Sequence, residues 1–352
     1  MNSTIRTYCR HIAVGFALTL LALVQPGSAW SQGSTVRNDH FLQSSAEPDA
    51  RIYVRERLPG NADPALLKKA VLFVHGATYG GDTFDLQIEG YDWMTQVAER
   101  GFATYYLDLR GYGRSTRPPA MSQPPEKNEP FSRAEDVISD IGNAVDFILA
   151  RTGADKVSLI GWSWGTVTAG MYATGNNDRI DRLVLYGPVY SAENPKWIER
   201  MADPDNPEEL KAVGAYRTVN AERARERWES QITPDDKAAW REEKVFQAWF
   251  EALLATEPKG AEVVRAPNGI LVDVWEIRNA RPIYDASLIE VPTLVIRGDM
   301  DRNSTHADAF GLFKKLGAAE KSYVVIGNAT HYVSLEKRAP RLIQQVQAFL
   351  ER

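Results

Sequence analysis

From Val71 onward, short β-branched runs alternate with stretches whose apolar residues recur at helical spacing, the pattern of a mostly parallel sheet covered by helices. The runs Ala70–Val74, Ala103–Leu107, Val157–Ile160, Leu183–Leu185, Thr293–Ile296 and Tyr323–Ile326 predict buried strands. Ahead of them Ile52–Glu56 alternates apolar and polar residues and predicts an antiparallel edge strand. Tyr91–Arg100 and Arg133–Arg151 read as helices, the second opened by Ser132 with Glu135 three places on, a capping box. Near the end Arg341–Leu350 carries Leu342, Ile343, Val346, Phe349 and Leu350 on one helical face.

Two regions break this alternation. Between Ser191 and Pro282 no buried strand is evident, and a charged helical stretch holds Trp197, Trp228, Trp240, Trp249, Phe250 and Trp275. It predicts a helical insertion lying as a cap on the carboxyl edge of the sheet. At the other end, Met1–His11 carries Arg6 and Arg10 with no acid, Ile12–Val24 is apolar, and Gln25, Pro26 and the small residues Gly27, Ser28 and Ala29 follow. That order is the layout of a secretory leader cleaved after Ala29, its apolar run too short to span a bilayer comfortably. Residues 30–50 are polar and weakly patterned, as an extended N-terminal arm would be. The expected organisation is therefore a leader (1–29), an arm (30–50), an α/β core (51–190 and 283–352) and a helical cap (191–282). On this reading the protein is exported, to the periplasm or beyond the cell, with no stable membrane insertion after cleavage.

Composition narrows the chemistry. With 41 basic against 46 acidic residues there is no basic excess on which to build a nucleic-acid footprint, so a small molecule is the expected partner. The single cysteine, Cys9, precedes the leader's apolar run. Its removal with the leader excludes thiol nucleophiles, thiolate metal sites and disulfides. No dinucleotide fingerprint, P-loop or H-E-x-x-H is present, so neither cofactor nor metal is implied. His306 with Asp301 and Asp308 is too scattered to argue for a cation.

One segment does point to a reaction. Val157–Gly165 reads V-S-L-I-G-W-S-W-G, a strand running into a G-x-S-x-G turn and then the small-residue helix Thr166–Ala173. Gly161 and Gly165 are needed because a Cβ at either would crowd so tight a turn. Ser163 at the tip is the candidate nucleophile, and a serine hydroxyl requires a base held by a carboxylate. His331, a short loop beyond the last strand at the carboxyl end of the sheet, is the preferred base, with His306 the competitor. Asp299 or Asp301 follows Thr293–Ile296, and Asp301 is preferred because it lies further round the turn. Each acid is equally at home as a turn residue. The backbone amides of Trp164 and Ala77 are the candidate oxyanion donors, Gly76 allowing the loop to come close. His75 reads as a structural histidine tying that loop down.

With these residues in hand, the chain resembles the α/β-hydrolase superfamily over essentially Ile52 to Arg352. F-V-H-G at Phe73–Gly76, D-L-R-G-Y-G-R-S at Asp108–Ser115, V-P-T-L-V-I-R-G-D-M-D at Val291–Asp301 and H-Y-V-S-L-E at His331–Glu336 carry the resemblance beside the serine turn. It implies an eight-stranded, mostly parallel sheet with helices on both faces and a cap. It also implies Ser163 as nucleophile, Asp301 as acid, His331 as base and the Ala77 and Trp164 amides as oxyanion donors, with Asp108–Ser115 structural. Haloalkane dehalogenases and epoxide hydrolases place Asp at the Ser163 position, so those reactions are not expected. Proline iminopeptidase-like members show H-G-G-P-G and G-G-S-W-G, which this chain matches only by half.

The leading expectation is an exported serine hydrolase acting on a small or medium ester or lactone through an acyl-enzyme. A peptidase with the same triad is the alternative, and it would need an acidic pocket for a substrate amine, for which Glu226, Glu229 or Glu251 are candidates. A ligand-binding protein without turnover is a third possibility. Tyr79 and Trp162 are candidate substrate contacts, although Trp162 could equally pack beneath the turn. Because the base must be neutral, activity is expected to fall on acidification through the range in which histidines take up a proton. Oligomeric state is open.

Overall fold

The apolar runs assemble into one sheet. In this computed structural model, which describes residues 35–60 and 62–352, the strands are β1 (Thr35–Gln43), β2 (Arg51–Pro59), β3 (Ala70–Val74), β4 (Ala103–Asp108), β5 (Val157–Trp162), β6 (Ile180–Tyr186), β7 (Tyr216–Asn220), β8 (Val263–Pro267), β9 (Thr293–Gly298) and β10 (Lys321–Ile326). Eight of them form the order β1-β2-β4-β3-β5-β6-β9-β10, with β1/β2 and β2/β4 antiparallel and every other pairing parallel. The inner strands β3, β4 and β5 are buried along their whole length, which is why they read as continuous runs and not as alternation. The helices are α1 (Trp93–Ala98), α2 (Ala134–Thr152), α3 (Trp164–Thr174), α4 (Pro195–Met201), α5 (Ala221–Glu229), α6 (Glu243–Leu254), α7 (Gly269–Arg278), α8 (His306–Lys315) and α9 (Ala339–Leu350). They bury two apolar clusters, one containing α2 and α3, the other containing α1, α6 and α9.

Three expectations change. The arm 30–50 is not loose: Thr35–Gln43 is an edge strand pairing antiparallel with β2 from Thr35↔Pro59 to Gln43↔Arg51. Its side chains are exposed or half-buried, so it has no apolar signature. In consequence Ile52–Glu56 is antiparallel as expected but lies one strand inside the edge. The α2 capping box sits one residue later than Ser132 and Glu135. Ser132 adopts φ +57° and its hydroxyl donates to the Arg110 carbonyl, while Asp136 accepts the Arg133 amide at 2.9 Å and Asp273 the Ala134 amide at 2.8 Å. The leader-like segment 1–29 lies outside the described residues, among which no helix is long and apolar enough to cross a membrane.

The segment between β6 and β9 contains α4 to α7 and also a two-stranded antiparallel ribbon, β7 with β8, which the sequence reading did not include. Five-residue strands leave too short a periodic trace to read. The insertion is stitched to the sheet side of the molecule. Trp249 Nε1 donates to Thr83 Oγ1 at 3.1 Å, Trp228 Nε1 to Glu336 Oε1 at 2.9 Å, and both indoles are fully buried. Its tryptophans are thus largely packing, Trp228 stacking on Tyr332 at 5.3 Å.

Candidate active site

β3 is the point where the chain order reverses, since β4 lies to one side of it and β5 to the other. Loops leaving β3 and β5 therefore diverge around a crevice at the carboxyl edge. Ser163 stands there, between β5 and α3, at φ +57° and ψ −123°. Such a conformation costs about 1–3 kcal/mol and persists only where its surroundings impose it. They do: the Ser163 amide donates to the Tyr186 carbonyl at 2.9 Å, and the two glycines permit the turn. A Cβ on Gly161 would lie 2.4 Å from the Gly165 carbonyl oxygen, and one on Gly165 would lie 2.3 Å from that of Val74.

The β3 loop passes directly over the serine, for a Cβ on Gly76 would sit 3.0 Å from Ser163 Cβ and 3.6 Å from its Oγ. His75 fixes the loop as a neutral imidazole: Nδ1 donates to the Gly76 carbonyl at 2.8 Å and Nε2 accepts the Leu109 amide at 3.1 Å. Complete burial holds its pKa down at about 4, which keeps it neutral. The Ala77 and Trp164 amides donate to no other described group and stay available. Tyr112 and Arg217 both bind the Ala77 carbonyl, the hydroxyl at 2.9 Å.

His331 and Asp301 come together as expected, with Nδ1 of the histidine 2.8 Å from Oδ2 of the carboxylate. Asp301 Oδ1 accepts the amides of Asn303 (2.9 Å) and Ser304 (2.7 Å), so the acid is held on both oxygens. A carboxylate so placed fixes the proton on Nδ1 and leaves Nε2 as the acceptor. Beneath this turn the Arg297 guanidinium donates to the Asp301 and Ser304 carbonyls. Asp299 is exposed and accepts the Ala329 amide, the turn role. His306 is exposed against Tyr323 and Phe310, and Asp308 pairs with Arg278, so neither competitor set for base or cation gathers at the serine.

Ser163 and His331 both line a cavity of about 630 Å³ whose walls come from the sheet loops and from the insertion. Tyr79 lines it too, 4% exposed, its hydroxyl without a hydrogen bond of normal length among the described groups and its ring edge-on to Trp249 at 4.6 Å. Trp162 lines the cavity as well, and also has a packing role. Its indole is 2% exposed, donates to the His331 carbonyl at 3.0 Å and stacks on Tyr186, so it supports the histidine loop from below. Glu226, Glu229 and Glu251 do not line the cavity, and the first two are taken by Arg223 and Arg241.

Three further residues were not singled out by sequence. Gly187, at φ +58°, lies under the His–Asp pair, where a Cβ would meet His331 Nδ1 at 3.1 Å and Asp301 Oδ2 at 3.2 Å. Gln231 accepts the His331 amide. Arg217 of β7 reaches from the insertion to Ala77 and Thr78, and burial, with the charge of Arg227 acting alongside it, pushes its guanidinium down from the ordinary arginine value. The only local clue was that Arg217 and Gln231 lie in the segment between Ser191 and Pro282 that breaks the alternation.

A profile of the family described as alpha/beta hydrolase fold matches residues 69–338. The chain belongs to the α/β-hydrolase family. This hydrolase-family chain is 25% identical over 275 residues to the AB hydrolase superfamily protein YisY of Bacillus subtilis (strain 168), spanning 77% of this chain and 87% of that one. Its fold is similar to that of an esterase from Exiguobacterium antarcticum, with TM-score 0.58 and 16% identity over 89% of this chain and 99% of that one. It is similar too to the enol-lactonase from Burkholderia xenovorans LB400, with TM-score 0.58 and 19% identity over 89% and 100%.

Proposed function

We propose that this α/β-hydrolase cleaves a carboxylic ester or lactone through an acyl-enzyme on Ser163. The observation that carries the reading is a serine held at positive φ against the Gly76 loop, opening into the same cavity as a histidine whose other nitrogen is bound by a buried carboxylate. In this mechanism Ser163 Oγ attacks the carbonyl carbon while His331 Nε2 takes its proton. Asp301 holds the imidazolium that forms, and the Ala77 and Trp164 N–H groups receive the oxyanion. Collapse of the tetrahedral adduct expels the alkoxide, protonated by His331. In a lactone the resulting alcohol remains part of the acyl group. Water, deprotonated by His331, then attacks the acyl carbon and releases the acid and Ser163.

The peptidase alternative lacks its expected support, because among the described residues no Asp or Glu lines the cavity to receive a substrate ammonium. The leader-like residues 1–29 favour an exported site of action, and the N-terminal sequence of the mature protein tests that. For the reaction, a short-chain chromogenic ester and a proline anilide are compared with wild type and Ser163→Ala. Ester turnover that drops at least a thousandfold in the variant is the expected result, since a triad acts as a unit. Anilide cleavage without ester cleavage, or ester turnover indifferent to Ser163, would overturn the proposal.

A further inference from the structure

Among the described residues the cavity over Ser163 is lined by Arg200, Arg217, Arg223, Arg227 and Arg302 and by no carboxylate, in a chain that has more acids than bases. Of these, only Arg223 forms an ion pair among the described residues, with Glu226 on the outer surface. Arg217 is committed to the backbone of the β3 loop and to the Thr78 hydroxyl. Arg200, Arg227 and Arg302 come from three different segments, α4, α5 and the β9–α8 loop, so no single helix's surface pattern accounts for their convergence. Like charges gathered around one concavity repel and focus a positive field on it, a cost that a bound anion removes.

A second observation points the same way. The Tyr79 side chain lines this cavity, and its hydroxyl is almost completely buried, lying beside Arg227 and Tyr332 but with no hydrogen bond of normal length to any described group. An unmet buried hydroxyl costs free energy unless a ligand supplies its partner. Burial pushes this phenol's pKa up, with Arg227 acting against it, so the hydroxyl stays protonated and is a donor to an anion.

We infer that the cavity contains an anion subsite, formed by Arg227 and the Tyr79 hydroxyl with Arg200 and Arg302 at its rim, and that the ester or lactone cleaved at Ser163 carries a carboxylate or phosphate. The inference rests on the hydrolase reading for its substrate and on the cavity alone for its anion. A planar guanidinium fork with an adjacent O–H matches either oxyanion. A neutral alkyl ester would leave these donors without partners.

Two measurements on the full protein separate the subsite from the reaction. In the first, kcat/KM is compared for p-nitrophenyl butyrate and p-nitrophenyl hemisuccinate, esters of equal acyl length that differ in a terminal methyl or carboxylate. Wild type is expected to favour the hemisuccinate at least tenfold, about 1.4 kcal/mol, and Arg227→Gln and Tyr79→Phe to shrink that ratio. Equal or better turnover of the butyrate overturns the subsite and leaves the hydrolase standing. A variant that lowers both rates and keeps the ratio also counts against it, since that is what a merely structural arginine would do.

In the second measurement, calorimetry on Ser163→Ala follows binding of succinate, its neutral diamide and inorganic phosphate. Saturable, salt-sensitive binding of an anion but not of the diamide, weakened at least tenfold by Arg227→Gln, supports the subsite even if neither ester is cleaved. The tighter of the two anions assigns the substrate's charged group. Failure of both anions to bind better than the diamide overturns the inference whatever the ester rates show.

Discussion

Arginines occupy two regions of this molecule in opposite ways. Near the β1 side of the sheet, Arg55 donates to Asp39 (3.0 Å), Asp82 (2.8 Å) and Asp85 (3.2 Å), Arg57 to Asp85, and Arg114 to Asp82. Asp82 and Asp85 are buried there, and each of these five groups has a partner of opposite sign. Around the cavity, Arg200, Arg227 and Arg302 have none among the described residues. A buried cation balanced by carboxylates of its own chain is part of the fold, joining β2 to the loop after β3. Cations left unbalanced around a concavity beside a nucleophile are complementary to something outside the chain. The net charge of −5 conceals both arrangements.

The largest expected effect comes from breaking the paired region. Arg55→Met strands Asp82 and Asp85 with too few counter-charges in a buried site, and breaking such a network costs about 3–5 kcal/mol. The urea midpoint should fall by the corresponding amount. A shift too small to measure would mean that the network relaxes onto Arg57 and Arg114.

An effect of intermediate size comes from His75, the buried group that fixes the cavity's β3 loop without any carboxylate. Its folded pKa is lowered to about 4 from the ordinary histidine value of 6.5, so on acidification the unfolded chain takes up this proton before the native one does. Its contribution is therefore fully present above ~6.5 and is lost as the pH falls toward 4, roughly 3 kcal/mol in all. Urea unfolding at pH 7 and pH 4.5 should show a shallower pH dependence in His75→Gln than in wild type. Parallel profiles would sink the assignment of this burial cost to His75.

The smallest effect is expected at the unpaired region, and its smallness is informative. Arg227→Gln removes a charge with no internal partner and relieves repulsion with Arg217, so stability should change by no more than ~0.5 kcal/mol, with an increase as acceptable as a decrease. Thermal unfolding at low and moderate salt checks this. A loss comparable to that of Arg55→Met would show that Arg227 belongs to the fold, and the contrast between the regions would collapse.

How much of this was legible in the sequence varied with the range of the interaction. The serine turn could be read because its requirements are local: an apolar strand, two glycines where any Cβ would strike backbone, and a small-residue helix, all within Val157–Ala173. Asp301 and His331 were recoverable because the ends of parallel strands converge at one edge. β1 was missed because a strand without buried residues carries little hydrophobic pattern, and the β7–β8 ribbon because its strands are only five residues long. Trp162 was open to two readings, and its place under the histidine loop follows from a contact between residues 169 positions apart.

By itself, the sequence determined the local stereochemistry: which runs must be strands, where the chain can turn over a serine, and which histidine and acids stand at the strand ends. Tertiary structure alone decided which arginines find a carboxylate and which do not. Arg225 and Arg227 are neighbours on one helix of similar charge pattern, yet the first pairs with Glu243 and the second faces the cavity. Ion pairing depends on what other segments bring within about 4 Å, and no local pattern of residues encodes that distance.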